Sequence, residues 1–203
     1  MLLALGVWVL TRRRVSWPAE GWVWPVGQVR VRGRVYRPVI TSGFGDIRAE
    51  GPHGGVDIVY PRRDTKDLID LYPPGTPNGG ARWFAPPGAP IVAARAGKVW
   101  SVEQTPKGWA VVLDHGKPFA TFYQHMETPA LEPHEKGVNT RTGGETHVNA
   151  GRVLGFMGYS PQDPQRVRHL HFAVWYEGTN DESVDPEQAM RSWPLSNITT
   201  DIT

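Results

Sequence analysis

Glycine and proline punctuate this chain too closely for a helical fold: 23 glycines and 19 prolines fall among 203 residues. Proline fixes φ and removes a backbone donor, and glycine favours turns, so the chain reads as short strands joined by tight connections. Between these breaks, apolar residues tend to recur at every second position. Val29-Arg-Val-Arg-Gly-Arg-Val-Tyr36 alternates apolar and basic residues, the period of a half-buried strand. Residues 91–102 read as two strand segments hinged near Gly97, and Trp109–Leu113 as a central, continuously apolar strand. Phe119–Met126 and His169–Tyr176 alternate again. Asp185-Pro-Glu-Gln-Ala-Met-Arg-Ser-Trp193 alone signals a helix, with Asp185 as N-cap and proline at the first helical position. The expected fold is mainly β: one domain built on an antiparallel, sandwich-like sheet, with a short C-terminal helix.

A chain of 203 residues supports one sizeable core. Its nine tryptophans are read as core and cleft wall. Residues 61–84 and 127–147 are polar and aperiodic, so they are expected to be long surface loops. Residues 1–40 carry seven arginines against one acidic residue, Glu20. Such a run fits a solvated strand face or contact with an anionic surface, and no nucleic-acid motif accompanies it. There is no cysteine, which excludes disulfides and thiolate metal ligands. The opening MLLALGVWVLTRRR has ten apolar residues before three arginines, about half the roughly 20 that a bilayer-spanning helix needs. It lacks the charge order of a secretory signal. A truncated anchor, a strand buried against a partner, and a short amphiphilic tail all fit it. Residues 1–21 are therefore set apart from a domain at 22–195, followed by a tail at 196–203.

The chemistry-bearing residues are histidines on strands. In His169-Leu-His-Phe172 the two histidines share one face of a strand, roughly 6.5–7 Å apart, while Leu170, Phe172 and Val174 turn to the core. Thr121, Tyr123 and His125 are expected to share one face of 119–126, which would bring Tyr123 to the groove unless it packs inside. His53 and Asp57 lie four apart, but Gly54 and Gly55 between them rule out a helix; a glycine-permitted turn running into a strand would hold the pair. Two histidines and one carboxylate are the ligand set of a catalytic zinc site with water in the fourth position. His115 is read as a structural strand-end residue, and His134 and His147 as solvated loop residues.

Taken in order, SGFG, His53-Gly-Gly-Val-Asp57, GAPIVAARAGKV, VVLDHG, TFYQH, AGRVLGFMG and HLHF resemble the lysostaphin-like (LytM-type) zinc endopeptidases, which cut peptide cross-links in bacterial cell walls. The likeness runs over residues 22–190. It implies zinc held by His53, Asp57 and His171, with His125 and His169 as non-ligand catalytic histidines beneath a groove over the metal. The implied substrate is the peptide stem of peptidoglycan, met in a virion-associated, periplasmic or cell-wall setting; a phage tail lysin fits. The family includes members that lack ligands and act as binding or activator modules, whereas all five positions are filled here. One departure stands beside the site: Arg168 precedes HLHF where the family often has proline.

Overall fold

A computed structural model describes residues 15–62, 82–133, 147–163, 166–177 and 183–202. The first half of the chain contributes β1 (Gln28–Val31), β2 (Arg34–Tyr36), β3 (Val39–Ser42), β4 (Ile47–Arg48), β5 (Gly51–Pro52), β6 (Val56–Pro61), β7 (Trp83–Phe84) and β8 (Pro90–Val92). The second half contributes β9 (Gly97–Thr105), β10 (Gly108–Asp114), β11 (Phe119–Pro129), β12 (His147–Val148), β13 (Val153–Met157), β14 (Leu170–Tyr176), β15 (Ser183–Val184), the helix α1 (Glu187–Met190) and β16 (Thr199–Ile202). The main sheet runs β12-β9-β10-β11-β14-β6-β3, and every pair along it is antiparallel. A mainly β architecture, with one short helix among the described residues, fits the proline and glycine spacing.

Alternation assigns the two faces of this sheet. Val56, Ile58 and Tyr60 of β6 and Leu170, Phe172 and Val174 of β14 are buried in one core together with Leu113, Tyr123 and Met126. Removing a ring such as Phe172 from this packing costs about 3–5 kcal/mol. The residues between them turn to the opposite face, where Asp57 is register partner to His171 and His171 to Gln124.

Several expectations of local structure change, among them that Trp83–Phe84, placed in the first loop, form a strand. Residues 29–36 are a hairpin instead of one strand, because Arg32 (φ 48°) and Gly33 (φ 79°) both adopt left-handed backbone, the pattern of a two-residue hairpin turn. His147 is exposed but sits on a strand, paired with Lys98. Glu127–Pro129 continue β11 instead of opening a loop. Residues 63–81 and 134–146, the bulk of both expected loops and including His134, lie outside the described residues, as do 1–14.

The flanks of the central stretch join the fold. Trp17 stacks on Phe119 at 5.1 Å, and Trp22 stacks on Trp193 at 4.6 Å. Thr199–Ile202, within the expected tail, pair in parallel with Gln28–Val31. Asp185 accepts a hydrogen bond from the Glu187 N–H (2.9 Å) at the start of α1.

Candidate active site

Three ligand atoms converge on the outer face of the sheet. His53 Nε2 lies 2.8 Å from His171 Nδ1 and 3.3 Å from Asp57 Oδ1, and His171 Nδ1 lies 3.2 Å from the same oxygen. A tetrahedron with metal–ligand bonds of about 2.0–2.1 Å has edges of roughly 3.3 Å, so this triangle fits one zinc ion. Two imidazole nitrogens face each other here beside a carboxylate. Hard cations such as calcium prefer more oxygen donors, whereas zinc takes this mixed set.

The local chain explains how each ligand is held. Gly55 lies against β14, and a Cβ there would meet the Phe172 carbonyl oxygen at 2.5 Å and His171 Cε1 at 3.0 Å. Glycine is therefore needed for close approach at this position. His53 Nδ1 donates to the Gly43 carbonyl (2.9 Å), which leaves Nε2 free to ligate. The Gly43 loop is itself tied down: Asp46 accepts from Gly43 N (2.7 Å) and Ser42 Oγ (3.0 Å), and His53 N donates to the Asp46 carbonyl (2.9 Å). Arg48 donates to the outer oxygen of Asp57 and to Ser42 Oγ (2.8 Å), fixing the carboxylate from behind.

His169 and His125 stand beside this triangle. His169 Nε2 is 3.9 Å from Asp57 Oδ1, and the ring centroids of His125 and His169 are 4.5 Å apart. Both rings are oriented by backbone carbonyls: His125 Nδ1 donates to Lys107 O (2.7 Å), and His169 Nδ1 to Val167 O (2.9 Å). Each therefore turns Nε2 towards the site, and among the described residues no protein hydrogen bond reaches either Nε2.

Electrostatics follow from burial and crowding. Burial alone would raise the Asp57 carboxyl, but the His171 and His53 imidazoles packed against it hold it well below the usual carboxylate range. Burial, aided by His169, pushes His125 down to about 3. Burial also lowers His171, against the pull of Asp57.

The structure thus brings together His53, Asp57, His171, His125 and His169, all five residues named from the sequence. It separates Tyr123 from them, contrary to the expectation that Tyr123 and His125 share a face. One extra residue on β11 breaks the alternation: Val111 pairs with Tyr123 but Trp109 with Met126, and His125 takes φ 68°. Tyr123 and Met126 are both core residues, so Gln124 and His125 lie together in the bulge. Tyr123 hydroxyl accepts from Ala94 N (2.8 Å) inside the core. The sequence reading did not pick out Arg48, Gly43 or the Lys107 carbonyl. Only Arg48 left a trace, as a lone positive charge five residues before His53.

An open sheet face carrying a His/Asp/His triangle with two further histidines beside it is the site of a zinc metallopeptidase. Comparison with known proteins agrees. The model of peptidase family M23 matches residues 76–186, and the chain belongs to that family. The matched stretch contains His125, His169 and His171, while His53 and Asp57 lie before it and are joined to it by the fold. Among curated proteins, the chain is 28% identical over 176 residues to the uncharacterized lipoprotein YgeR of Escherichia coli (strain K12), covering 84% of this chain and 49% of that one. The chain thus spans about half the length of this curated relative. Two solved structures share the fold. The catalytic domain of the antimicrobial peptidase lysostaphin from Staphylococcus simulans is 19% identical, with TM-score 0.51 over 77% of this chain and 92% of that one. A zinc-containing peptidase from Vibrio cholerae is 24% identical, with TM-score 0.52 over 84% and 40%.

Proposed function

We propose that this M23 metallopeptidase is an endopeptidase that hydrolyses the peptide cross-links of bacterial peptidoglycan outside the cytoplasm. The observation that supports this reading most is the complete constellation: three convergent ligand atoms with two carbonyl-oriented histidines directly beside them. His53, Asp57 and His171 would hold zinc. When bound, zinc supplies a Lewis acid that polarises a carbonyl and makes water nucleophilic near neutral pH. Around it, the chain's own groups have separate work. Arg48 and Gly43 hold Asp57 and His53 in position. His125 and His169 present Nε2 to the reacting groups, one taking a proton from water and the other stabilising the developing oxyanion or returning the proton to the leaving amine.

Residues 22–195 would carry the catalytic unit, with Trp17 and β16 completing its packing. Among the described residues, no helix is long and apolar enough to cross a membrane. Contact with an envelope or virion protein through the first 21 residues falls mainly outside the described residues, and the comparisons lend no support to a phage particle as the place of action.

The test is to incubate the protein with purified peptidoglycan of several chemotypes and identify new amine and carboxyl ends by mass spectrometry. Release of one type of end, abolished by a chelator and restored by zinc, is expected. Tight binding without cleavage in the zinc-loaded protein would instead make it a wall-binding module.

A further inference from the structure

We propose that Glu127, Arg168 and Gly158 form a positioning frame that sets the spacing between His125 and His169. The inference rests on the reading of these two histidines as the proton-handling pair. His125 occupies left-handed backbone (φ 68°), which a non-glycine residue holds only when its surroundings fix it. Gly158 does so on one side. Its N–H donates to the His125 carbonyl (2.7 Å), and its own carbonyl accepts from His169 N–H (3.0 Å). A single residue is thus bonded to the backbones of both histidines. No side chain fits there: a Cβ on residue 158 would lie 2.5 Å from Glu127 N and 2.8 Å from His125 O.

Arg168 closes the frame on the other side. It immediately precedes His169, is buried, and donates through Nη1 and Nη2 to the two carboxylate oxygens of Glu127 (2.5 and 3.2 Å), two residues past His125. Nη1 also donates to the Met157 carbonyl (3.0 Å), next to Gly158. One planar guanidinium therefore fastens the segments 125–127, 157–158 and 168–169 to each other. A two-pronged arginine–carboxylate pair fixes distance and direction together, which a lysine ammonium cannot do. The Glu127 side chain is 48% exposed, so the pair adds little to global stability, and its fixed geometry is its contribution. Neither Glu127 nor Arg168 belongs to the metal triangle. The frame should therefore affect turnover and not zinc content.

The experiment uses the zinc-loaded full chain and soluble cross-linked peptidoglycan fragments, with kcat, KM, zinc content and melting temperature measured for Arg168→Ala, Arg168→Lys, Glu127→Gln and Gly158→Ala. Arg168→Ala and Gly158→Ala are expected to lower kcat by about 10²-fold, the cost of misplacing a reacting group by an ångström, with KM little changed. Zinc should stay near one per chain, and Arg168→Lys should recover only part of the loss. If the alanine variants do not fold, Arg168→Lys and Glu127→Gln carry the test, since both preserve volume. The proposal is overturned if those two keep kcat within about twofold, or if any loss of rate simply follows loss of zinc. His125→Ala and His169→Ala are assayed alongside. If they keep full turnover, the reading of the pair is wrong; if they lose it while the frame variants do not, only the frame is wrong.

Discussion

The two faces of β11 each carry a polar network containing histidine, and they differ in whether the network closes. On the inner face, His115 bonds Ala96 O through Nδ1 (2.9 Å) and Thr121 Oγ1 through Nε2 (2.7 Å). The Thr121 and Tyr123 hydroxyls are 3.0 Å apart, and Tyr123 takes the Ala94 N–H. Every polar atom in that chain has an internal partner. On the outer face, His125 and His169 are anchored through Nδ1, and among the described residues no hydrogen bond reaches Nε2 of either. Closed networks stabilise a core, while open ones, whose free atoms converge on a metal triangle, are built to act on a ligand.

The largest effect that would test this contrast is on the metal triangle. Asp57→Ala removes the carboxylate that joins His53, His171 and Arg48, and zinc content and peptidoglycan hydrolysis should both fall to background. Retention of stoichiometric zinc, read by elemental analysis, would remove Asp57 from the ligand set. Next come the open histidines. His125→Ala and His169→Ala should keep their zinc and lose about 10²–10⁴-fold in turnover, with the double variant falling little further because the two act as one unit. If His169→Ala empties the site while His171→Ala does not, the two roles are exchanged.

The closed network should answer to pH through stability instead. Burial, with Arg95 nearby, lowers His115 from 6.5 to about 4. Below pH 6.5 the unfolded chain takes up a proton that the folded chain refuses until about pH 4, so stability is lost as pH falls through that window. The full loss is roughly 3 kcal/mol. Denaturant unfolding of wild type and His115→Gln at pH 7 and pH 5 measures it, and an unchanged pH slope in the variant would count against this role. The smallest effect is expected for Tyr123→Phe. It strips the Ala94 N–H of its buried acceptor and should cost about 1–3 kcal/mol of stability while leaving kcat and KM alone. A raised KM would put Tyr123 back in the groove.

How much of this was legible beforehand depended on the range of the cause. In β14 the reading of HLHF was right because side-chain direction in a regular strand follows from position alone. His171 points out while Leu170 and Phe172 point in, and His169, just before the strand, lies on the side of His171. In β11 the same rule put Tyr123 and His125 on one face and failed, because a bulge arises from pairing with β10, and nothing within TFYQHM marks it. The Val29–Tyr36 run failed similarly, since alternation is the same on both sides of a two-residue turn. Only the Arg32–Gly33 backbone separates one strand from a hairpin.

The sequence by itself determined the fold class, through its spacing of glycine and proline. It also determined the three residues of the metal-ligating group, His53, Asp57 and His171, through ordered motifs and ligand chemistry that excluded thiolates. His125 and His169 it named as candidates. Tertiary structure decided which atoms meet. His53 and Asp57 join His171 across more than a hundred residues because β6 pairs with β14 in the register Asp57↔His171. Arg48 reaches Asp57 only because the β4–β5 hairpin folds back, and Arg168 reaches Glu127 across 41 positions. Residue types and strand periods are local properties that the chain carries in its order. Contacts between distant segments depend on sheet register, bulges and ion pairs, which exist only once the sheet has formed.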